Sequence, residues 1–134
     1  MPNLAIHRDA ADDLQGIKAR GEHADHGAIL AFLQQAKTHP ALLATLAEDW
    51  FGEDSAGSYT VRKIVSLHAR GKRLWRVKVL TLKGLATRYR VIYAFDPRQQ
   101  VFYVLGIPHR EIAYDQDHPR IQRLVAAYDS LHLA

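Results

Sequence analysis

Alternating apolar and polar positions predict two β-strands in the second half of the chain, and a continuous apolar run predicts a third directly after them. The alternation has a period of two residues, which is the pattern of a strand with one face toward a core. Turn residues at 83–84 and 96–98 separate the three segments, which cover residues 74–82, 88–95 and 101–107. The third segment is apolar on both faces, as expected of an interior strand that is covered on each side.

Apolar residues at helical spacing dominate the first half of the chain. Residues 4–8 alternate and predict a short first strand, after which Asp9 is a candidate N-cap for a helix that begins close after it. Helical spacing returns over residues 28–37, and glycines interrupt the sequence between the two segments. We therefore expect a broken helix or a helical hairpin.

The middle of the chain is harder to interpret than either end. Pro40 suits the first turn of a further short helix that runs toward Trp50, and residues 52–58 have the composition of a loop. Residues 59–67 suit a strand by their β-branched content and a helix by their spacing, and we favour the strand. Residues 121–131 predict a final helix with a proline near its start.

The order of these elements predicts an α+β fold. We expect a mostly antiparallel sheet of four strands, or five, with the N-terminal helices packed on one face and a helix at the C-terminus. No repeat or low-complexity stretch divides the chain. Its 134 residues with 48% hydrophobic content fit a single domain over residues 1–134 that buries a sizeable core.

Charge is distributed unevenly along the chain, although the net charge is only +4. Residues 1–58 carry four Lys and Arg against nine Asp and Glu, whereas residues 59–134 carry fourteen against five. No acidic residue lies between Asp54 and Asp96. A block of one sign this long predicts a surface that binds a polyanion or an acidic protein, and a merely solvated face is the alternative.

Several classes of protein are excluded or disfavoured by what the sequence lacks. Without cysteine there is no disulfide, thiolate nucleophile or cysteine-bound zinc, which suits the cytoplasm. No apolar run is long enough to cross a membrane, and the first residues do not form a signal peptide. His23 and His26 lack a third ligand at recognisable spacing, so we expect no metal site. Phosphate loops and nucleophile elbows are also missing, and we expect no small-molecule cofactor.

Basic side chains on the predicted strands are the main candidates for chemistry. Alternation places Arg76 and Lys78 on one face of their strand, and Arg88 and Arg90 on one face of the next. If both apolar faces point to the core, these four cations share the opposite surface. Like charges on adjacent strands repel one another, so the arrangement predicts an anionic ligand. Phosphate is the natural one, because guanidinium groups bind its oxygens in a bidentate way.

The same strands carry a family resemblance. The sequences LWRV at 74–77, RYRVIY at 88–93 and VLGIPHRE at 104–111, followed by Tyr114, resemble the RelE/ParE superfamily of bacterial toxins, and RelE/HigB-like members in particular. The resemblance covers residues 73–115 well. It implies a RelE-like fold and an mRNA interferase that acts at the ribosome and is held inactive by a cognate antitoxin.

Individual roles follow from the resemblance. Arg90 stands where the family's strand arginine contacts substrate phosphate, Arg110 matches the arginine after the last strand, and Tyr114 is similar to the C-terminal tyrosine. His109 occupies a basic or polar position. In the implied reaction the RNA 2′-hydroxyl attacks the adjacent phosphate without a metal, the two arginines stabilise charge, and His109 or Tyr114 transfers protons. The expected RNA-binding residues are Arg73, Arg76, Lys78 and Arg88.

Two features separate this chain from the simplest form of that interpretation. RelE-type toxins are often shorter, and residues 40–72 form the extra material, an insertion that is expected to reshape the active cleft. Related ParE-like members inhibit DNA gyrase without nuclease activity, which is the alternative function here. A plain nucleic-acid-binding module is a further alternative.

Overall fold

A computed structural model describes residues 3–44, 46, 59–81 and 85–133. Its five strands and six helices alternate irregularly along the described chain. In chain order they are β1 (Asn3–Ile6), α1 (Arg8–Ala19), α2 (His23–Thr38), α3 (Pro40–Ala44), β2 (Tyr59–Lys63), α4 (Val65–His68), β3 (Leu74–Val79), β4 (Val91–Asp96), β5 (Val101–Gly106), α5 (Arg110–Ala113) and α6 (Pro119–Ser130).

The strands form one mixed sheet in the order β1-β5-β4-β3-β2. The β3-β4-β5 meander is antiparallel, as predicted, and β2 extends it antiparallel to β3. β1 is the exception, because it pairs in parallel with β5, where Asn3 lies opposite Val101. The fold is therefore α+β with a five-stranded mixed sheet.

Helices cover both faces of this sheet. The first core joins α1, α2 and α3 to one face, which includes Val91 and Tyr93 of β4. The second core joins α4, α5 and α6 to the other face, which includes Ile92 and Ala94. The N-terminal helices pack on one face, as predicted, whereas the C-terminal helices cover the opposite face. β4 and β5 are apolar on both faces, and burying each large apolar side chain contributes roughly 1.5–3 kcal/mol, so a second layer is favoured.

Local signals account for the element boundaries. His7, rather than Asp9, caps α1, because its Nδ1 accepts a hydrogen bond from the Asp9 amide at 3.1 Å. Gly21 has a φ of 79°, a left-handed conformation that glycine adopts at little cost, and there the chain turns into α2. The predicted helical hairpin is thus confirmed.

The ambiguous segment 59–67 contains both elements that its pattern allowed. β2 ends at Lys63, and Ile64 then caps the short helix α4. The predicted turn at 83–84, the loop at 52–58 and the continuation of α3 to Trp50 lie outside the described residues. Among the helices that are described, none has the length and apolar character needed to cross a membrane.

Candidate active site

Tyr114 lies among three cationic side chains on the second face of the sheet. Because β3 alternates, Arg76 and Lys78 point away from the first core, whereas Val77 and Val79 face it. The guanidinium carbon of Arg76 lies 4.2 Å from the centroid of the Tyr114 ring. Arg90 Nε donates a hydrogen bond of 3.3 Å to the Tyr114 hydroxyl. We call these four residues the Tyr114 cluster: Arg76, Lys78, Arg90 and Tyr114.

Arg90 is the buried anchor of the Tyr114 cluster, with only 7% of its surface exposed. Its Nη1 donates hydrogen bonds to the carbonyl oxygens of Thr87 at 2.9 Å and Tyr89 at 3.0 Å. Its own amide donates to the carbonyl of Pro108 at 2.9 Å. Within the described part of the chain, Nη2 is the guanidinium nitrogen left without an acceptor. Arg90 therefore organises the backbone before β4 and orients Tyr114.

Tyr114 itself is accessible, because it caps the C-terminal end of α5 and is 54% exposed. Partial burial raises the pKa of its hydroxyl, but the hydrogen bond from Arg90 and the charges of Arg76, Arg90 and Lys78 outweigh that effect. The pKa is lowered from its ordinary value of 10.0 as a result. A tyrosine in this environment ionises more readily than usual and is a better proton acceptor near neutral pH.

The cations of the Tyr114 cluster have no carboxylate partner among the described residues, where no ion pair involves Arg76, Lys78 or Arg90. Arg62 of β2 lies opposite Arg76 in the sheet and adds another positive charge. Burial first, and then the charges of Arg90 and Arg62, lower the pKa of Arg76. Such crowding is unfavourable without an anion, and phosphate would relieve it.

Arg88 does not join these cations, so the expected four-cation surface is wrong in that respect. Its Nε lies 2.9 Å from the Asp25 carboxylate and its Nη1 lies 3.0 Å from that of Glu22. Both acids belong to the α2 side of the sheet. The regular alternation of β4 begins only at Val91, and the preceding backbone turns Arg88 to the opposite face from Arg90.

His109 and Tyr114 lie at the two ends of α5 and line different cavities. His109 Nδ1 accepts a hydrogen bond from the Glu111 amide at 3.2 Å, and the imidazole packs edge-on against Tyr89 at 5.4 Å. It lines a cleft of about 510 Å³ together with Asp12 and Glu22, on the side of α1. The structure thus separates the two residues that the sequence offered for proton transfer.

The two remaining predicted residues are exposed. Arg110 begins α5, and its amide donates a hydrogen bond of 2.7 Å to the Arg88 carbonyl. Arg73 precedes β3, and its amide donates to the Tyr128 hydroxyl at 3.0 Å. Within the described residues neither side chain forms an ion pair, and neither contacts the Tyr114 cluster through a hydrogen bond. Their binding roles stay predictions.

An acidic network on the α2 side was missed by the sequence reasoning. The Tyr89 hydroxyl donates a hydrogen bond of 2.6 Å to Glu22 and accepts one of 2.9 Å from Arg20. That bond from Tyr89 is the main reason why the pKa of Glu22 is lowered, against the opposing effect of burial. Further pairs join the two halves of the chain, including Arg120 with Asp13 and Arg123 with Asp9. Part of the charge asymmetry is therefore neutralised internally, and a signal for this was the run of acids along α1 and α2.

Comparisons with known proteins give no further assignment: no protein-family model matches the chain, and neither curated proteins nor solved structures give a significant match. Across the described residues, His, Asp and Glu side chains do not form any group of three or more that could hold a metal ion.

Proposed function

We propose that this chain is an endoribonuclease of the RelE/HigB-like toxin type, which cleaves mRNA at the ribosome in the cytoplasm. The observation that carries the proposal is the Tyr114 cluster, in which an accessible tyrosine of lowered pKa is surrounded by cations that have no carboxylate partner in the described part of the chain. RNA supplies its own nucleophile, so a protein needs to stabilise negative charge and transfer protons. The Tyr114 cluster has the groups for both tasks.

In the proposed reaction, ionised Tyr114 accepts the proton of the 2′-hydroxyl. The 2′ oxygen then bonds to the adjacent phosphorus while the bond from phosphorus to the 5′ oxygen breaks. The products are a 2′,3′-cyclic phosphate and a 5′-hydroxyl. The departing oxygen takes a proton from a water molecule, and the nearby positive charge of Arg76 stabilises it as the bond breaks. The hydroxide that remains takes the proton from Tyr114, which restores the ionised hydroxyl and the water.

Charge that develops on the phosphate oxygens is stabilised by Lys78 and Arg76, and the positive charge of the buried Arg90 adds to their effect. Arg90 acts mainly as a positioning residue, because its Nη1 and Nε are committed to backbone carbonyls and to Tyr114. Arg110 and Arg73 are proposed to bind flanking phosphates. His109 has no part in this step, because it faces the other cleft. A cognate antitoxin would inhibit the enzyme by placing acidic residues over the Tyr114 cluster.

Translation in a cell-free bacterial extract tests the proposal. Purified protein is added, the 5′ ends of the message are mapped, and Tyr114→Phe and Arg123→Ala are compared with the unaltered chain. Arg123 is an exposed arginine that pairs with Asp9, so its loss removes one positive charge elsewhere on the molecule. We expect new ends inside codons that disappear with Tyr114→Phe and persist with Arg123→Ala. An intact message with normal protein yield would refute the proposal, and a DNA supercoiling assay would then test gyrase inhibition.

A further inference from the structure

A cavity of about 380 Å³ adjoins the Tyr114 cluster, and Arg76 and Tyr114 line one side of it. Its other walls come from α4, the second face of the sheet, α5 and α6. Most of the lining is apolar, and the principal side chains are Ile64, Leu67, Ile92, Ile121 and Leu124. Two polar side chains, Ser66 and Gln116, also line it, and Gln116 Nε2 donates a hydrogen bond to Ser66.

We propose that this cavity binds a nucleobase of the RNA next to the cleaved phosphate, an inference that rests on the proposed ribonuclease function. A base has apolar faces and a polar edge, and the cavity combines apolar walls with a few polar groups, as small-molecule sites do. The position of the cavity beside Arg76 and Tyr114 also fits a bound base. A phosphate held by Arg76 and Lys78 is covalently linked to a sugar and a base, and the adjoining cavity is where that base would fit.

Gln116 and Ser66 would read the edge of the base. Gln116 uses one amide N–H on Ser66, which leaves its carbonyl oxygen and its second N–H for a ligand. The Ser66 hydroxyl can donate as well as accept. A donor and an acceptor side by side favour the bases with the complementary pair on one edge. These two residues are thus the candidates for sequence preference around the cleavage site.

The segment 40–72, which exceeds the RelE-like pattern, supplies an entire wall of this cavity. Residues 64–69, which include the short helix α4, contribute five of its lining positions. The insertion would therefore determine which base is accepted. An apolar side chain of a protein partner is the competing occupant. We favour the base because the cavity shares Arg76 with a cluster of cations that, across the described residues, pair with no carboxylate.

Filling the cavity tests the inference. Ala69 lines it and is exposed, so Ala69→Phe occupies it without disturbing either core. Ala31→Phe is the matched control, because Ala31 is an exposed alanine of α2 on the other side of the sheet. The probe is a ten-nucleotide single-stranded RNA with 2′-O-methyl groups, which cannot be cleaved. Fluorescence anisotropy compares the intact probe with versions that carry one abasic position, moved along the strand.

We expect one abasic position to weaken binding by roughly 5- to 150-fold in the unaltered chain, the effect of losing one stacked base. Ala69→Phe should abolish that difference while the salt-dependent binding of the abasic probe persists, and Ala31→Phe should retain it. Gln116→Ala, which leaves the apolar walls intact, should instead reduce the preference among the four bases. Thermal unfolding verifies that each variant is folded. If Ala69→Phe does not fold, Gln116→Ala alone tests the inference.

Equal binding of intact and abasic probes, absence of binding, or a difference that survives Ala69→Phe would overturn the inference. Message cleavage in the cell-free extract reports separately on the proposed function. Cleavage without any abasic effect would support the ribonuclease function and refute the base site. An abasic effect without cleavage would support an RNA base site and refute the ribonuclease function. Protection of the cavity by an apolar peptide, with no effect of the base, would identify the competing occupant and also reject the inference.

Discussion

Replacing Tyr114 with phenylalanine removes one hydroxyl and little else. Within the described residues, that hydroxyl accepts one hydrogen bond, of 3.3 Å from Arg90, and Tyr114 is 54% exposed. Arg90 keeps its two carbonyl acceptors, and the ring remains in place beside Arg76. A long bond at a half-exposed site is worth about 1 kcal/mol or less. Against a typical stability of about 5–15 kcal/mol, the folded fraction should not change measurably.

The effect on catalysis should be far larger than the effect on stability. Loss of a general base typically lowers the rate by about 10²- to 10⁴-fold, which corresponds to about 3–5 kcal/mol in the activation barrier. A structural role for the hydroxyl would instead change both quantities by a similar small amount. The predicted change in the activation barrier is therefore several kcal/mol larger if Tyr114 is the general base than if its hydroxyl is only structural.

Single-turnover cleavage of a message on stalled ribosomes, combined with urea unfolding of the same preparations, separates the two effects. Tyr103→Phe is the matched control, because that hydroxyl also makes one long bond, of 3.3 Å, to Gln99 on the same face of the sheet. A Tyr114→Phe variant that cleaves within about threefold of the unaltered chain would refute the proposed role of Tyr114 as the base, since the expected loss is about 10²-fold or more.

Three further predictions follow from the described contacts. Lys78→Gln removes a positive charge that lowers the pKa of Tyr114. The pH at which the cleavage rate rises should therefore be higher in this variant, and initial cleavage rates measured across a series of pH values would test this. Glu22 has a lowered pKa in the folded chain, so its ionised form stabilises the fold above the unfolded pKa of 4.5, and this stability is lost as the pH falls through the folded pKa. Glu22→Gln should therefore flatten the pH dependence of the free energy of urea unfolding in that acidic range. An unchanged slope would contradict the lowered pKa. A Cβ at Gly106 would lie 2.7 Å from Leu124 Cδ1, so Gly106→Ala should destabilise the fold by about 1–3 kcal/mol, and its combination with Leu124→Ala should cost less than the sum of the two changes.

The sequence pattern predicted the strands and helices where periodicity is strong. β3 and β5 fall within the predicted segments, whereas β4 begins at Val91 and ends at Asp96, one residue beyond the predicted segment 88–95. Alternation identified β3, and an apolar run bounded by turn residues identified β5. Segment 59–67 remained ambiguous because β2 and α4 are each very short and follow one another directly. The parallel partnership of β1 with β5 was not predicted, because nothing in a four-residue strand specifies which edge it joins.

The candidate site was predicted only in part, and for physical reasons. Arg76 and Lys78 share a face because β3 is regular from Leu74 to Val79. Arg88 lies on the other face, where it pairs with Asp25. That pairing could not be predicted, because Asp25 lies 63 positions away in sequence and periodicity describes only neighbouring residues. The Arg90 and Tyr114 pair came from the family resemblance, which cannot reveal that Arg90 is buried. The cavity beside them depends on the packing of three separate helices and had no signal in the sequence.

Pairing the first strand with the last has a consequence for the order of events during synthesis. β1 leaves the ribosome early, yet its neighbour β5 is complete only when residue 106 has been made. Contacts this distant in sequence slow folding, because the chain loses the conformational entropy of a long loop before the contact contributes any stabilisation. Tyr114 is added later still, so a nascent chain has neither its sheet edge nor the hydroxyl that we propose to be catalytic. If ribosomes are the target, the ribosome that makes this protein is spared until translation of the domain is nearly finished.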